Sequence, residues 1–150
     1  MALEPLLSLL RRHRKIALDS SIFIYQLDGN PRYVPLTTPV FLALESPAHT
    51  AVTSTITWTE ILVPAYRTSE QKRIAEYLGL LSTYPRLEWI APDLVIADLA
   101  ARLRARHDMR TPDALQAATA IQSAATLFIT NDRVFRKISG FESLLLDDLL

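Results

Sequence analysis

The segment TPDALQAATAIQSAATLFITND, residues 111–132, contains the pattern that decides the fold. It opens with Thr111-Pro112-Asp113, where threonine suits a helix N-cap and proline suits the first helical position. Small and apolar residues continue this helix, and the short apolar run at 126–130 is typical of a buried strand. The segment therefore predicts a helix followed by a buried strand, with an acidic residue at each outer boundary.

The same alternation extends to both sides of this segment. Further strands are predicted at 15–18, 51–54, 87–91 and 144–146, and helices at 35–44, 57–66, 69–81, 92–107 and 133–138. A hairpin signal is missing between the predicted strands, so the pattern favours a parallel sheet with helices on both faces. We expect one α/β domain over residues 1–150, with a central parallel sheet of four to five strands.

Composition supports a packed domain. The chain has 150 residues, of which 49% are hydrophobic, and this suffices for one core. No apolar run approaches the roughly 20 residues of a membrane helix. The leucines near the N-terminus precede the basic residues, which is the reverse of a signal peptide. We expect residues 1–14 to form an amphipathic helical extension, and the protein to be cytoplasmic and not membrane-bound.

Several kinds of chemistry are excluded by residues that are scarce or missing. There is no cysteine, so disulfides, thiol nucleophiles and cysteine-bound zinc are excluded. The three glycines do not form a glycine-rich phosphate loop. The 16 basic and 16 acidic residues balance, without the basic excess of a protein that coats nucleic acid. Phosphate binding would therefore need a metal ion or nearby basic side chains.

Four acidic residues fall where a ligand crevice is expected. In open parallel sheets this crevice lies outside the carboxyl ends of the strands. Asp19 and Asp132 follow predicted strands, Glu60 lies early in the helix after the second strand, and Asp113 begins a helix near one end of the sheet. Carboxylates crowded together repel one another, and Mg²⁺ or Mn²⁺ relieves that repulsion.

Helix capping explains each of these residues when it is taken singly. Asp19 and Asp132 can serve as N-caps, Thr57-x-x-Glu60 fits a capping box, and Asp113 is favoured at a helix start by the helix dipole. The spacing alone leaves both interpretations open.

Local sequence strings add a family resemblance that covers the chain from about residue 15 to the C-terminus. The strings are IALDSS at 16–21, STITWTEI at 54–61, ARLRA at 101–105, TPDALQAATA at 111–120 and FITNDRVF at 128–135. In this order they resemble the PIN-domain ribonucleases, specifically the VapC-like toxins of bacterial and archaeal toxin–antitoxin pairs. The 14 residues before the first strand depart from many such toxins.

The resemblance implies a Rossmann-like PIN fold and an endoribonuclease that depends on Mg²⁺ or Mn²⁺. It implies that catalysis and metal binding are carried by four carboxylates: Asp19, Glu60, Asp113 and Asp132. Thr130 and Asn131 are expected to help orient Asp132. The implied products carry 5′-phosphate and 3′-hydroxyl ends.

The resemblance also implies partners. These are an RNA substrate, a cognate antitoxin that binds in a groove beside the active site, and a second copy of the chain in a homodimer. The aliphatic helices at 36–44 and 74–81 are candidates for the dimer surface. The basic residues are interpreted either as an RNA-backbone track or as solvated helix faces: Arg102, Arg104, Arg106, Arg110, Arg133, Arg136 and Lys137.

Two other functions are considered. A non-catalytic PIN-type module that binds RNA or protein would be expected to lose acidic residues, and all four are present here. A Rossmann-like phosphatase would require a second aspartate two residues after Asp19, where this chain has Ser21. The three histidines are expected at the surface, and Trp58 and Trp89 are expected to serve packing rather than base stacking.

Overall fold

The computed structural model describes residues 3–150, and its centre is a five-stranded, entirely parallel sheet. The strands, in the order of the chain, are β1 (Lys15–Leu18), β2 (Thr50–Ser54), β3 (Leu87–Ile90), β4 (Leu127–Thr130) and β5 (Glu142–Leu145). Their spatial order is β3-β2-β1-β4-β5, so β1 lies at the centre of the sheet. The expected sheet of four to five strands is confirmed with five.

Seven α-helices connect and cover the strands. They are α1 (Leu3–Arg12), α2 (Ser20–Leu27), α3 (Val34–Ala43), α4 (Thr55–Thr68), α5 (Gln71–Thr83), α6 (Leu94–Arg106) and α7 (Thr111–Gln122). Two 3-10 helices, Arg133–Lys137 and Leu146–Leu149, complete the chain. Within residues 3–150 no helix has both the length and the apolar character needed to cross a membrane.

The sheet is covered on both faces because successive side chains of a strand point in opposite directions. Ile16 and Leu18 of β1 pack into one apolar cluster together with helices α1 to α5. Ala17, which lies between them, packs into the other cluster with α6 and α7. The sequence prediction of a parallel sheet with two helical layers is therefore confirmed.

The N-terminal helix is part of the core. It is amphipathic as expected, and Leu6 and Leu10 are buried in the cluster that covers β1. It packs against α3 and the C-terminal 3-10 helix Leu146–Leu149. The segment predicted as an extension thus contributes to the packing of the domain; its residues 1 and 2 lie outside the described part of the chain.

Two histidines that were predicted at the surface are only partly exposed, and they hold the end of α1. The Nδ1 atom of His13 lies 2.8 Å from Thr126 Oγ1, and its Nε2 atom lies 2.9 Å from Glu142 Oε2. His49 Nε2 lies 2.5 Å from the carbonyl oxygen of Leu10. These contacts join the N-terminal helix to the amino edge of the sheet.

Two predicted helix caps were also wrong. Ser69 adopts the left-handed region (φ 53°) and ends α4, and α5 begins after Glu70. Thr111 is the first residue of α7 rather than its N-cap, which is Arg110. The Thr111 hydroxyl instead accepts a hydrogen bond from Arg104, so a tertiary contact replaces the local cap.

The aliphatic helices proposed as a dimer surface are used mostly inside the domain. Leu36 and Val40 of α3, and Ile74 and Leu81 of α5, are buried. One large aliphatic side chain on each helix is well exposed: Leu42 and Leu80 are 56% and 46% exposed.

Candidate active site

Asp19 lies at the carboxyl end of the central strand and is nearly buried, at 8% exposure. Both of its carboxylate oxygens accept hydrogen bonds, Oδ1 from the backbone N–H of Ser20 at 2.8 Å and Oδ2 from Thr130 Oγ1 at 2.7 Å. Burial raises the pKa of Asp19 to about 6, opposed by these hydrogen bonds and reinforced by the charges of Glu60 and Asp113. Asp19 is therefore the N-cap of α2 and also a buried carboxylate whose negative charge is destabilised by burial.

Glu60 reaches the same place from α4. This helix is capped by Ser54, whose side chain accepts from the Ile56 N–H at 3.2 Å, so the capping-box interpretation of Glu60 was wrong. Its carboxylate accepts instead from Ser20 Oγ at 3.3 Å. Burial raises the pKa of Glu60, the Ser20 hydrogen bond opposes this, and the charge of Asp113 raises it further.

Asp113 lies in the first turn of α7, and its position settles which edge of the sheet it joins. Its side chain is 15% exposed, and its Oδ2 atom lies 3.5 Å from Arg110 Nε. Burial raises the pKa of Asp113, Arg110 lowers it, and the charge of Asp132 raises it. Because its charge also acts on Asp19 and Glu60, Asp113 belongs to the carboxyl edge of the sheet.

Asp132 is the most exposed of the four acidic residues and follows β4. Its Oδ1 atom accepts from the Val134 N–H at 3.0 Å and caps the 3-10 helix Arg133–Lys137. Its backbone N–H donates to Thr130 Oγ1 at 3.1 Å, and the same hydroxyl donates to Asp19. Thr130 thus connects two of the predicted site residues. Asn131 does not contact either carboxylate; it bonds to Tyr25 and to the backbone of Asp147.

The structure therefore brings the four predicted carboxylates to one edge of the sheet. Within residues 3–150, however, no group of three or more histidine, aspartate or glutamate side chains is arranged so that it could hold a metal ion. Asp19 is turned toward Ser20 and Thr130, and Asp113 toward Arg110. The donor chemistry nevertheless fits a hard divalent cation, because these groups are oxygen ligands whose negative charges destabilise one another.

A buried polar network, which sequence reasoning missed, fixes the elements that carry the carboxylates. Gln116 Nε2 donates to Thr57 Oγ1 at 2.7 Å, and that hydroxyl lies 2.7 Å from Thr53 Oγ1. Thr53 donates to the carbonyl oxygen of Leu18 at 2.9 Å. The network joins α7, α4, β2 and β1. Its members lie close in sequence to the carboxylates: Gln116 is one turn after Asp113, Thr57 is three residues before Glu60, and Leu18 directly precedes Asp19. A glutamine among the alanines of α7 is the sequence signal that could have revealed it.

The basic residues divide between structural and exposed roles. Arg104 donates to the Met109 carbonyl at 3.0 Å and to Thr111 Oγ1 at 2.9 Å, so it holds the loop that leads into α7. Arg102 pairs with Asp98, and Arg136 pairs with Asp148. Arg110 lies at the rim of the carboxylate cluster, where 76% of its side chain is exposed. Of the predicted RNA track, Arg110 is the residue whose contact with the site is direct.

Comparisons with known proteins agree with the fold. The family model for the PIN domain matches residues 16–140. Among solved structures, VapBC2 from Rickettsia felis bound to a DNA fragment from its promoter is similar at 19% identity, with a TM-score of 0.69 over 87% of this chain and 98% of that chain. A toxin–antitoxin complex from Klebsiella pneumoniae has 23% identity and a TM-score of 0.67, over 87% and 97%.

A third solved structure has a somewhat higher identity. VapBC-5 from Mycobacterium tuberculosis, of the VapBC family of toxin–antitoxin systems, is 27% identical, with a TM-score of 0.58 over 87% of this chain and 98% of that chain. No match was found among curated proteins.

Proposed function

Because this chain belongs to the PIN-domain family, we propose that it is an endoribonuclease that depends on Mg²⁺ or Mn²⁺ and is the toxin of a toxin–antitoxin pair. The observation that carries the proposal is that Asp19, Glu60 and Asp113 lie at the carboxyl edge of the sheet, where burial raises the pKa of all three and the charges of Glu60 and Asp113 raise that of Asp19 further. Such an arrangement opposes folding unless a cation neutralises it.

Asp19, Glu60, Asp113 and Asp132 would hold the metal. A bound divalent ion supplies positive charge for the phosphoryl oxygens and lowers the pKa of a bound water. The residues of the chain itself prepare this site. Thr130 and the Ser20 N–H fix the orientation of Asp19, and the Ser20 hydroxyl restrains Glu60. Arg110 would contact an RNA phosphate, since its guanidinium is exposed beside Asp113.

The test is cleavage of short single-stranded RNAs by the purified chain with Mg²⁺, Mn²⁺ or a chelator. We expect cleavage with either metal and none with the chelator. Asp19→Asn removes a buried charged ligand and should lower the rate at least 100-fold, because a neutral amide binds a divalent ion weakly. Asp98→Asn is the matched control, because Asp98 is exposed on α6 and paired with Arg102.

Two outcomes would contradict the proposal. Equal cleavage by the parent and by Asp19→Asn would remove Asp19 from the reaction. RNA binding without metal-dependent cleavage by the parent would favour the non-catalytic RNA-binding module instead.

We further propose that the antitoxin binds along a cleft formed by α2 and α5. This cleft has a volume of about 740 Å³ and is lined by Leu27, Asp28 and Tyr77, among others. It shares these residues with a smaller cavity of about 90 Å³ that reaches Glu60. A peptide in this cleft would therefore extend toward Glu60. Co-expression with the product of the adjacent gene should give a co-purifying complex that does not cleave RNA; independent elution of the two chains would contradict this partner.

The homodimer is proposed on the two aliphatic side chains left exposed by α3 and α5. Sedimentation should report twice the mass of one chain, and Leu42→Asp should shift it toward the monomer because it places a charge in an apolar contact. Leu94→Asp is the control, since Leu94 is exposed on α6. Sedimentation of the parent as a monomer at high concentration would contradict the dimer.

A further inference from the structure

Another pocket lies beside α4, on the side of the edge strand β3. It has a volume of about 440 Å³ and is lined by Thr55, Trp58, Thr59 and Trp89. The chain contains two tryptophans, and both line this pocket, which we call the indole pocket. Their rings are 5.2 Å apart and nearly perpendicular, at 82°. The prediction that they serve packing is confirmed, since both pack against the core and Trp89 lies 5.8 Å from Phe23, but both side chains remain partly exposed, and the expectation that they do not stack on bases is untested.

The chemistry of the indole pocket suits a planar, uncharged, aromatic group. None of its four lining residues carries a charge, so it does not recognise a phosphate. The indole rings offer stacking surfaces, and each threonine hydroxyl can donate and accept a hydrogen bond. A nucleobase has this combination of an aromatic face and polar edges, and base–aromatic stacking is how proteins hold single strands.

The position of the indole pocket connects it to the carboxylates. Thr55 is the first residue of α4, directly after the carboxyl end of β2, and Thr59 precedes Glu60. Trp89 pairs in register with Thr53, one residue before the end of β2. The strand order places β3 two strands from β1, roughly 10 Å across the sheet. A short stretch of single strand spans that distance along the carboxyl edge.

We propose that the indole pocket binds one unpaired base of the RNA strand whose phosphate lies at the carboxylates. This inference rests on the proposed ribonuclease function and adds a recognition site to it. An RNA base is favoured over an aromatic side chain of a protein because a metal ion bound by Asp19 and Glu60 would already hold the strand, which gives its neighbouring bases a high effective concentration at the pocket. The base contributes to binding the substrate and positioning the strand, whereas the bond is broken at the carboxylates.

The test uses the fluorescence of Trp58 and Trp89, the two tryptophans of the chain, both of which line this pocket. A single-stranded RNA hexanucleotide is mixed rapidly with the chain in Mg²⁺, and the quenching is read before cleavage occurs. Six further hexanucleotides each lack the base at one position. We expect the intact RNA to quench the fluorescence, and the loss of one particular base to weaken binding roughly tenfold.

Variants separate stacking from packing. Trp58→Leu should make binding insensitive to that missing base, while Trp58→Phe should retain part of the effect because it keeps an aromatic ring. Tyr66→Leu is the matched control, an exposed aromatic on the same helix. Circular dichroism melting identifies a variant that fails to fold, in which case Trp89→Phe, with Trp58 as reporter, replaces it.

Each outcome decides between the proposals. Quenching that is equal for all six RNAs, or quenching only by a hexapeptide with a central phenylalanine, would overturn the base-binding role. If the parent cleaves RNA in Mg²⁺ at a rate that does not depend on any missing base, the base-binding role is overturned while the ribonuclease function stands. If the quenching depends on one base but the parent never cleaves RNA, the base-binding role of the indole pocket stands and the proposed ribonuclease function is contradicted.

Discussion

The two edges of the parallel sheet differ in whether their ionisable side chains have favourable partners. At the amino edge, the His13 ring lies between Thr126 and Glu142, so both nitrogens have polar partners. At the carboxyl edge, burial raises the pKa of Asp19, Glu60 and Asp113, and the charges of the other two raise that of Asp19 further. The amino edge therefore stabilises the fold, while the carboxyl edge opposes it in the absence of a cation. The loss of stability at the carboxyl edge is the physical indication that the candidate site lies there.

The largest expected difference between the edges is in cleavage. Asp113→Asn should reduce metal-dependent cleavage at least 100-fold because it removes a candidate metal ligand. Glu142→Gln at the amino edge should leave cleavage within about twofold of the parent. Rates measured on the same single-stranded RNA compare the two variants, and similar losses for both would refute the assignment of function to one edge.

The second difference is in the pH dependence of stability. The pKa of Asp19 is raised from 3.8 to about 6, so the folded state holds its proton more tightly than the unfolded state does. Its contribution to the free energy of unfolding is therefore greatest below about pH 4 and is lost between about pH 4 and 6, by up to about 3 kcal/mol.

Urea unfolding in a chelator tests this comparison. Relative to Asp19→Asn, which cannot titrate, the parent should lose stability between pH 4 and 7. Adding Mg²⁺ at pH 7 should stabilise the parent more than Asp19→Asn. A constant difference between parent and variant across this pH range would contradict the raised pKa.

A smaller effect is expected from the buried polar network that joins α7 to α4 near the carboxyl edge. Gln116→Leu should destabilise the domain by about 1–3 kcal/mol because it leaves the buried Thr57 hydroxyl and the Ser54 N–H without their glutamine partner. It should also lower cleavage about tenfold, since α7 and α4 carry Asp113 and Glu60.

The control for this network is Gln122→Leu, an exposed glutamine at the end of α7. It should change neither the free energy of unfolding nor the cleavage rate. If Gln116→Leu destabilised the domain but cleaved RNA at the parental rate, the network would serve folding alone.

The smallest effect is expected at the amino edge. His13→Ala removes two contacts that are partly exposed, so it should lower the free energy of unfolding by about 1 kcal/mol and leave cleavage unchanged. Thermal melting and the RNA assay measure both. A large loss of cleavage would mean that the attachment of α1 reaches the carboxyl edge, which would contradict the separation of the two edges.

Sequence reasoning was most accurate where the signal is periodic and local. The buried strands and amphipathic helices follow from apolar spacing, because a buried face imposes that spacing whatever lies opposite. It was wrong at caps such as Thr111 and Ser69, because a tertiary hydrogen bond or a left-handed turn competes with the local preference there. It also left Asp113 without an assigned edge, because the direction of a loop is not encoded in side-chain spacing.

By itself the sequence determined the layered α/β fold, the resemblance to the PIN-domain family and the identity of four candidate carboxylates. Only the tertiary structure decided that those carboxylates share one edge, that Thr130 bonds to Asp19, and that Gln116 joins the helices that carry Asp113 and Glu60. The reason is physical. Hydrophobic periodicity is a property of neighbouring residues, whereas the repulsion between Asp19 and Asp113 depends on a distance that exists only after about 90 intervening residues have folded.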